Sequence, residues 1–316
     1  MPCKGDMTED RSLPLIAIVG PTGVGKTGLA VGLARNLGGE IVSADSRQIY
    51  RRMDIGTDKP TEEQRKLVPH HLIDIVAPDQ EFTLAQYQES ACRAIEDILS
   101  RNKVPFLVGG TGLYVRAVLE GFLIPRVKPN LRLRRELGQQ AERDGAQAVH
   151  ARLREVDPEA AARIDPRNVR RVIRALEVYH ELKEPISHLQ RRKPPPYRTL
   201  KIGLTMKRKE LYRRIDERVD NMVERGLLAE VQALLAEGYN SDLPAMSGLG
   251  YRQMAMYLCG EMDLPTAIRK IKSETHRFVR QQYKWFRPDD QTIHWFDEED
   301  KPYEEIKGSV VAFLGR

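Results

Sequence analysis

The sequence predicts an α/β fold: a parallel sheet flanked by helices, interrupted by an all-helical insertion. Three observations predict it. Short β-branched apolar runs alternate with helix-like stretches, one run stops at a glycine-rich turn that feeds a helix, and strand signals vanish from an Arg-rich middle segment.

The first strand is LPLIAIVG, residues 13–20, and the turn and helix that follow read GPTGVGKTGLAVGLARNLG. A second run, Glu40 to Ala44, ends at Asp45. A helical stretch from about Leu84 to Leu99 leads to a third run, Val104 to Val108, which ends at Gly109-Gly110. After Phe122 come helical stretches over about Asn130 to Arg143, Ala146 to Val156 and Asn168 to Leu182. Three prolines close that block before a returning strand, Leu200 to Met206. Lys209 to Glu237 reads as one or two helices and Thr266 to Phe286 as another, both packed on the sheet. The expected organisation is a flexible N-terminus over 1–12, a phosphate-loop core over 13–125 and 198–316, and a helical insertion over 126–197.

At 316 residues, with 41% hydrophobic and 30% charged side chains, the chain is long enough for roughly two domains, and its composition excludes disorder and collagen. No apolar run approaches the about 18 residues that span a bilayer, and no secretory leader opens the chain, so a cytoplasmic protein without membrane contact is expected. Cys3, Cys92 and Cys259 form no CxxC pair, which argues for free thiols. The net charge of +6 is unevenly spread. Residues 126–197 carry 17 basic against 10 acidic side chains, a net +7, and the remainder is nearly neutral.

Gly20, Pro21, Thr22, Gly23, Val24, Gly25, Lys26 and Thr27 satisfy G-x-x-x-x-G-K-[ST] between strand and helix, the context of a P-loop NTPase-like fold. Such a loop gathers backbone N–H groups and a helix N-terminus around phosphate oxygens, Lys26 adds charge, and Thr27 can ligand Mg2+. Asp45 stands at the carboxyl edge of the sheet, where ligands of open α/β sheets bind. It could cap a helix before Ser46, hold magnesium in a small-molecule kinase, or act as a general base. The third strand ends in GGTGLY, without the carboxylate usual in a magnesium-binding NTPase, and Thr111 can hydrogen-bond a ligand there. Adjacent His70 and His71 point in different directions, which suits packing or hydrogen bonding better than a metal.

Taken together, these blocks resemble the tRNA dimethylallyltransferase family, also called tRNA isopentenyltransferases. The resemblance rests on GPTGVGKT at 20–27, DSRQIYRRMDIGTDKP at 45–60, HHLID at 70–74 and GGTGLY at 109–114. It continues through RRVIRALEVY at 170–179, LYRRIDERVDNMVERGLLAEV at 211–231, GYRQM at 250–254 and RQQYKWFR at 280–287. No Cys/His cluster follows the last helix, so the likeness is to the bacterial type.

The resemblance implies transfer of a dimethylallyl group from dimethylallyl diphosphate to the exocyclic amine of adenosine at tRNA position 37, with a diphosphate leaving group on the phosphate loop. By this likeness Asp45 is the general base, Thr22 lies at the reacting centre, and Lys26 and Arg218 hold the diphosphate, Arg214 being Arg218's competitor one turn away. Asp45, Ser46, Arg47, Gln48 and Thr111 match segments that contact tRNA. So do Arg132, Arg170, Arg171, Val172, Ile173 and Arg174 in the insertion, and Ser247, Gly248, Leu249, Gly250, Tyr251 and Arg252 beyond it. The insertion is expected to grip the anticodon arm, and the protein to be a monomer. On the helix over 266–286, Phe278 and Trp285 are expected in the core. The competing readings are a P-loop small-molecule or nucleoside-monophosphate kinase and a nucleotide-switched RNA-binding protein.

Overall fold

Leu15, Ile16, Ala17 and Ile18 are all fully buried, as a strand covered on both faces requires. In the computed structural model, which describes residues 13–315 except 190, 191 and 194, they lie in β1 (Leu13–Val19). The N-terminal segment 1–12 and Cys3 lie outside the described residues. The chain continues through α1 (Lys26–Leu37), β2 (Gly39–Ser43), α2 (Glu62–Leu67), β3 (His70–His71), α3 (Leu84–Ser100), β4 (Val104–Gly109) and α4 (Gly112–Glu120). Five helices follow: α5 (Leu131–Asp144), α6 (Ala146–Val156), α7 (Pro158–Arg163), α8 (Val169–Leu182) and α9 (Ile186–Leu189). Then come β5 (Tyr197–Thr205), α10 (Arg208–Glu224), α11 (Leu227–Ala236), α12 (Tyr251–Leu258), α13 (Leu264–Trp285), β6 (His294–Asp297) and α14 (Tyr303–Leu314).

The described strands form one parallel sheet in the order β3-β2-β4-β1-β5-β6. Alternation divides the β1 side chains between two cores. Ile16 and Ile18 join Val24, Leu33 and Phe106 on one face, while Leu15 and Val19 join Tyr87, Ile95 and Leu107 on the other. A third cluster packs Ile49, Tyr50 and Met53 against Val219, Leu227, Tyr251, Met254 and Ile271, so helices hold the loop after β2 from behind. No helix among the described residues is long and apolar enough to cross a membrane.

The described residues divide into two compact units, 13–119 with 196–315, and 120–195. The second unit has its own core, built by Leu137, Val149, Leu153, Val172, Ala175, Leu176 and Val178. Its one fully buried carboxylate among the described residues, Glu177, accepts from the Asn130 amide (2.7 Å), Arg134 Nε (2.7 Å) and Arg174 Nη1 (2.5 Å).

The edge strands β3 and β6 escape the sequence patterns because runs of two and four residues carry no readable period. Buried Glu40 on β2 explains His71: its carboxylate contacts His71 Nε2 at 2.8 Å, and hydrogen bonds from Arg101 and Lys103 hold it far below the usual carboxylate range.

Candidate active site

Strand order brings the motifs together. Because β4 lies between β1 and β2, the glycine-rich loop, Gly109-Gly110 and Asp45 all emerge at the same carboxyl edge. They enclose a cavity of about 250 Å³, lined on its polar part by Thr22, Gly23, Gly25, Lys26, Thr27, Asp45, Asp58 and Arg218. Ala30, Ile41, Ile73 and Val108 supply apolar wall.

The loop takes its shape from positive φ at Gly23 (84°) and Gly25 (97°), a region closed to most side chains. Lys26 Nζ donates to Pro21 O at 2.6 Å. Withdrawal from water pushes its pKa down to about 8, against an opposing pull from Asp45, with Arg218 adding to the depression and Asp58 resisting it. Arg218, on α10, reaches across to donate from Nη1 to Thr22 Oγ1 at 2.7 Å, and lies 3.4 Å from Asp58 Oδ2. Arg214 instead faces Glu210 at 3.4 Å and lies outside the cavity lining, so of the two arginines the structure brings Arg218 to the loop.

Asp45 Oδ1 accepts from the Arg47 amide at 2.8 Å, a local turn that aims the carboxylate. No α-helix starts at Ser46, which sets aside the helix-cap role. Thr111 Oγ1 accepts from the Ser46 amide at 3.1 Å, and the Thr111 amide donates to Ala44 O at 3.1 Å. Gln48 spans the site from behind, accepting from Ser43 Oγ at 3.1 Å and donating to the carbonyls of Thr57 and Asp58 at 3.4 and 3.2 Å.

Sequence reasoning placed none of three further residues in this site, although it gave His70 a packing or hydrogen-bonding role. Buried Gln282 on α13 accepts from the Thr22 amide at 2.9 Å and donates to Gly110 O at 3.0 Å, tying the phosphate loop to the β4 turn. A Cβ at Gly110 would stand 2.3 Å from Gln282 Nε2, so only glycine leaves room for this link. His70 lines the cavity: its Nδ1 faces Val68 O at 2.7 Å, which places the proton there and leaves the buried Nε2 as an unpartnered acceptor. Burial lowers the His70 pKa, keeping the ring neutral. Asp58 is the third. The motif blocks containing these residues were visible, but single positions within them carry no signal of their own.

The IPP transferase family model matches residues 48–289, and an isopentenyl transferase model matches residues 13–76. The chain belongs to the IPP transferase family. Among its curated relatives, a tRNA dimethylallyltransferase of Thermomicrobium roseum is 53% identical over 96% of this chain and 93% of its own length. One from Chloroflexus aurantiacus is 58% identical over 86% of this chain and 92% of its own. A crystal structure of a full-length tRNA isopentenylpyrophosphate transferase from Bacillus halodurans superposes with a TM-score of 0.71 at 44% identity, covering 96% of this chain and 97% of that one. A eukaryotic dimethylallyltransferase described as acting on tRNA gives 0.75 at 28% identity, covering 90% and 74%. Membership makes the chain a transferase and sets the kinase and switch readings aside.

The residues this family likeness assigned to tRNA contact are placed unequally. Arg47 is anchored on Pro244 O (2.7 Å) and Ser247 Oγ (3.3 Å), joining two of the assigned segments. Ser247 and Arg252 are exposed, Arg252 paired with Glu274, and Leu249 is half-buried. Gly248 and Gly250 are buried. The Tyr251 ring is fully buried and its hydroxyl donates to Glu230 Oε1 at 2.6 Å, so this side chain braces the protein.

Val172 and Ile173 are core residues of the insertion on the apolar face of α8. Arg174 is committed to Glu177 and to the Val127 carbonyl at 3.2 Å. Arg132 is exposed and pairs with Glu136 at 2.8 Å, while Arg170 and Arg171 are exposed, with no ion pair among the described residues. Phe278, expected in the core, is 39% exposed, whereas Trp285 is half-buried beside Gly112.

For magnesium the donor set is spare. No group of three or more His, Cys, Asp or Glu side chains among the described residues could hold a metal ion. The Thr27 hydroxyl in the cavity wall suits an ion bound chiefly through substrate phosphates and water.

Proposed function

We propose that this enzyme transfers a dimethylallyl group from dimethylallyl diphosphate to the exocyclic N6 amine of adenosine at tRNA position 37, next to the anticodon, releasing diphosphate. The observation that carries the reading is the convergence on one cavity of a carboxylate, Asp45, with a phosphate loop, Lys26 and Arg218. Attack by a weakly nucleophilic aryl amine on an allylic carbon needs both halves: cations for the oxygens that gain charge and a base for the amine proton. Only the allylic isomer of the donor has a leaving group whose departure gives a delocalised cation.

The loop amides, Lys26 and Arg218 hold the diphosphate, and Thr22, donating through its amide to Gln282 and accepting from Arg218, fixes the guanidinium at the reacting end. Ile41, Ile73 and Val108 offer the prenyl chain an apolar wall. Asp45 takes the amine proton on the carboxylate that the Arg47 amide orients. Magnesium, held by the Thr27 hydroxyl, would neutralise charge on the diphosphate oxygens. The adenosine must leave its stack to reach such a cavity, and basic residues that hold the displaced RNA fit the positive insertion. The reading places the enzyme in the cytoplasm, acting as a monomer on the anticodon arm.

The test is nucleoside mass analysis of tRNA incubated with the protein and dimethylallyl diphosphate. Prenylated adenosine is expected at position 37. Unaltered adenosine, or phosphorylated product with ATP, would overturn the reading.

A further inference from the structure

A cavity built for a multiply charged anion contains two carboxylates, and only Asp45 has a task in the reaction. Asp58 lies against the cations themselves, its Oδ2 3.4 Å from Arg218 Nη1. Its position is strongly determined. Asp58 holds a left-handed backbone (φ 50°), a conformation that costs energy for a side-chain-bearing residue and persists only where surrounding structure enforces it.

The enforcement is visible on every side. Gln48 Nε2 holds the Asp58 carbonyl at 3.2 Å, and the Asp58 amide donates to Ile55 O at 3.1 Å. Next in the chain, the buried Lys59 ammonium donates to Tyr50 O (2.7 Å), Asp54 (2.5 Å) and Asp74 (2.5 Å). Glu230 accepts from the amides of Asp54, Ile55 and Gly56 at 2.9, 2.9 and 3.2 Å. The loop is thus clamped so that one carboxylate meets one guanidinium.

We infer that Asp58 is the resting partner of Arg218, a built-in carboxylate that competes with diphosphate for the guanidinium and so speeds product release; this rests on the diphosphate reading of the cavity. The contact is suited to exchange. At 3.4 Å, with 42% of the Asp58 side chain and 26% of the Arg218 side chain exposed, it is a loose pair, while the 2.7 Å bond to Thr22 keeps the guanidinium in place whichever anion it faces. The competition also distinguishes product from substrate. When the bond between the prenyl carbon and the diphosphate oxygen breaks, its electron pair stays on that oxygen, and the departing group gains one negative charge. A fixed carboxylate therefore repels free diphosphate more than the prenyl ester.

The experiment measures calorimetric binding of inorganic diphosphate, at constant magnesium, to the wild type and to Asp58→Asn, Asp58→Gly and Asp58→Glu. Asparagine and glycine both accept the left-handed conformation, so the loop survives removal of the charge. The neutral variants should bind diphosphate roughly two- to fivefold more tightly, the ordinary range for one half-exposed charge interaction, with Asp58→Glu close to wild type. In turnover, product inhibition should strengthen more than the KM for dimethylallyl diphosphate falls. Equal or weaker binding by both neutral variants overturns the inference, and weakening reversed by added magnesium assigns Asp58 to the metal instead. A wild type that fails to bind diphosphate removes the cavity reading along with it.

Discussion

The two units of the chain use charge in opposite ways. In the sheet unit, Lys26, Arg218, Asp45 and Asp58 face one cavity, and their mutual influence is what counts. In the helical unit the net charge, +7 over residues 126–197, is dispersed, and part of it is already committed. Arg134 and Arg174 are drawn in by buried Glu177, leaving Arg170 and Arg171 facing solvent. A count of arginines therefore overstates what an RNA backbone can use, whereas a count of charges in the cavity understates how each modifies the next.

The largest expected effect lies in the sheet unit. Asp45→Asn keeps size and a hydrogen-bond acceptor but removes the basic carboxylate, so single-turnover prenylation should slow by roughly 100- to 10,000-fold. Recovery with excess magnesium, or a rate within a few-fold of wild type, would move Asp45 to another role. In the helical unit the comparable break is structural. Glu177→Ala leaves two half-exposed arginines and the Asn130 amide facing an empty acceptor, and loss of such a shared acceptor costs about 1 to 3 kcal/mol. Chemical denaturation should show it as a lowered midpoint, and an unchanged midpoint would mean that the cluster contributes nothing net.

A pH series sharpens the contrast. Lys26 titrates at about 8 when folded, below the ordinary 10.5 of a lysine, so in the free protein it is cationic below 8 and loses charge above it. Diphosphate affinity should be full below 8 and fall as pH rises through it. Stability should move the other way, because between 8 and 10.5 the unfolded chain binds more protons than the folded one. Calorimetry of wild type against Lys26→Arg isolates this, since the arginine does not titrate there and its affinity should stay flatter. The smallest effect is expected at the surface of the insertion. Changing Arg170 and Arg171 to alanine should reduce the slope of log affinity for tRNA against log salt by roughly 0.7 to 0.9 for each phosphate that an arginine no longer neutralises. Adding Arg174→Ala should lower stability as well, and a pure salt effect from it would contradict its place beside Glu177.

What could be read from the residues was local. A strand ending in GPTGVGKT has few conformations open to it, and Asp45 and Gly109-Gly110 each close a hydrophobic run, so sheet, loop and carboxyl-edge site were all legible. The helical face of LYRRIDERV presents Arg214 and Arg218 alike, and the resemblance favoured the second; contact with Thr22 is a tertiary fact. Tyr251 and Phe278 show the same limit from both sides, one buried beneath the loop it braces, the other exposed one helical turn before buried Gln282.

By itself, then, the sequence determined the longer strands of the sheet and the phosphate loop, because these depend on neighbours within a turn or two. Only the tertiary structure decided that β4 enters between β1 and β2, that Gln282 ties the loop to Gly110, and that Asp58 meets Arg218. Those pairings join residues 160 to 260 positions apart in the chain, or follow from strand order, and no periodic pattern encodes either.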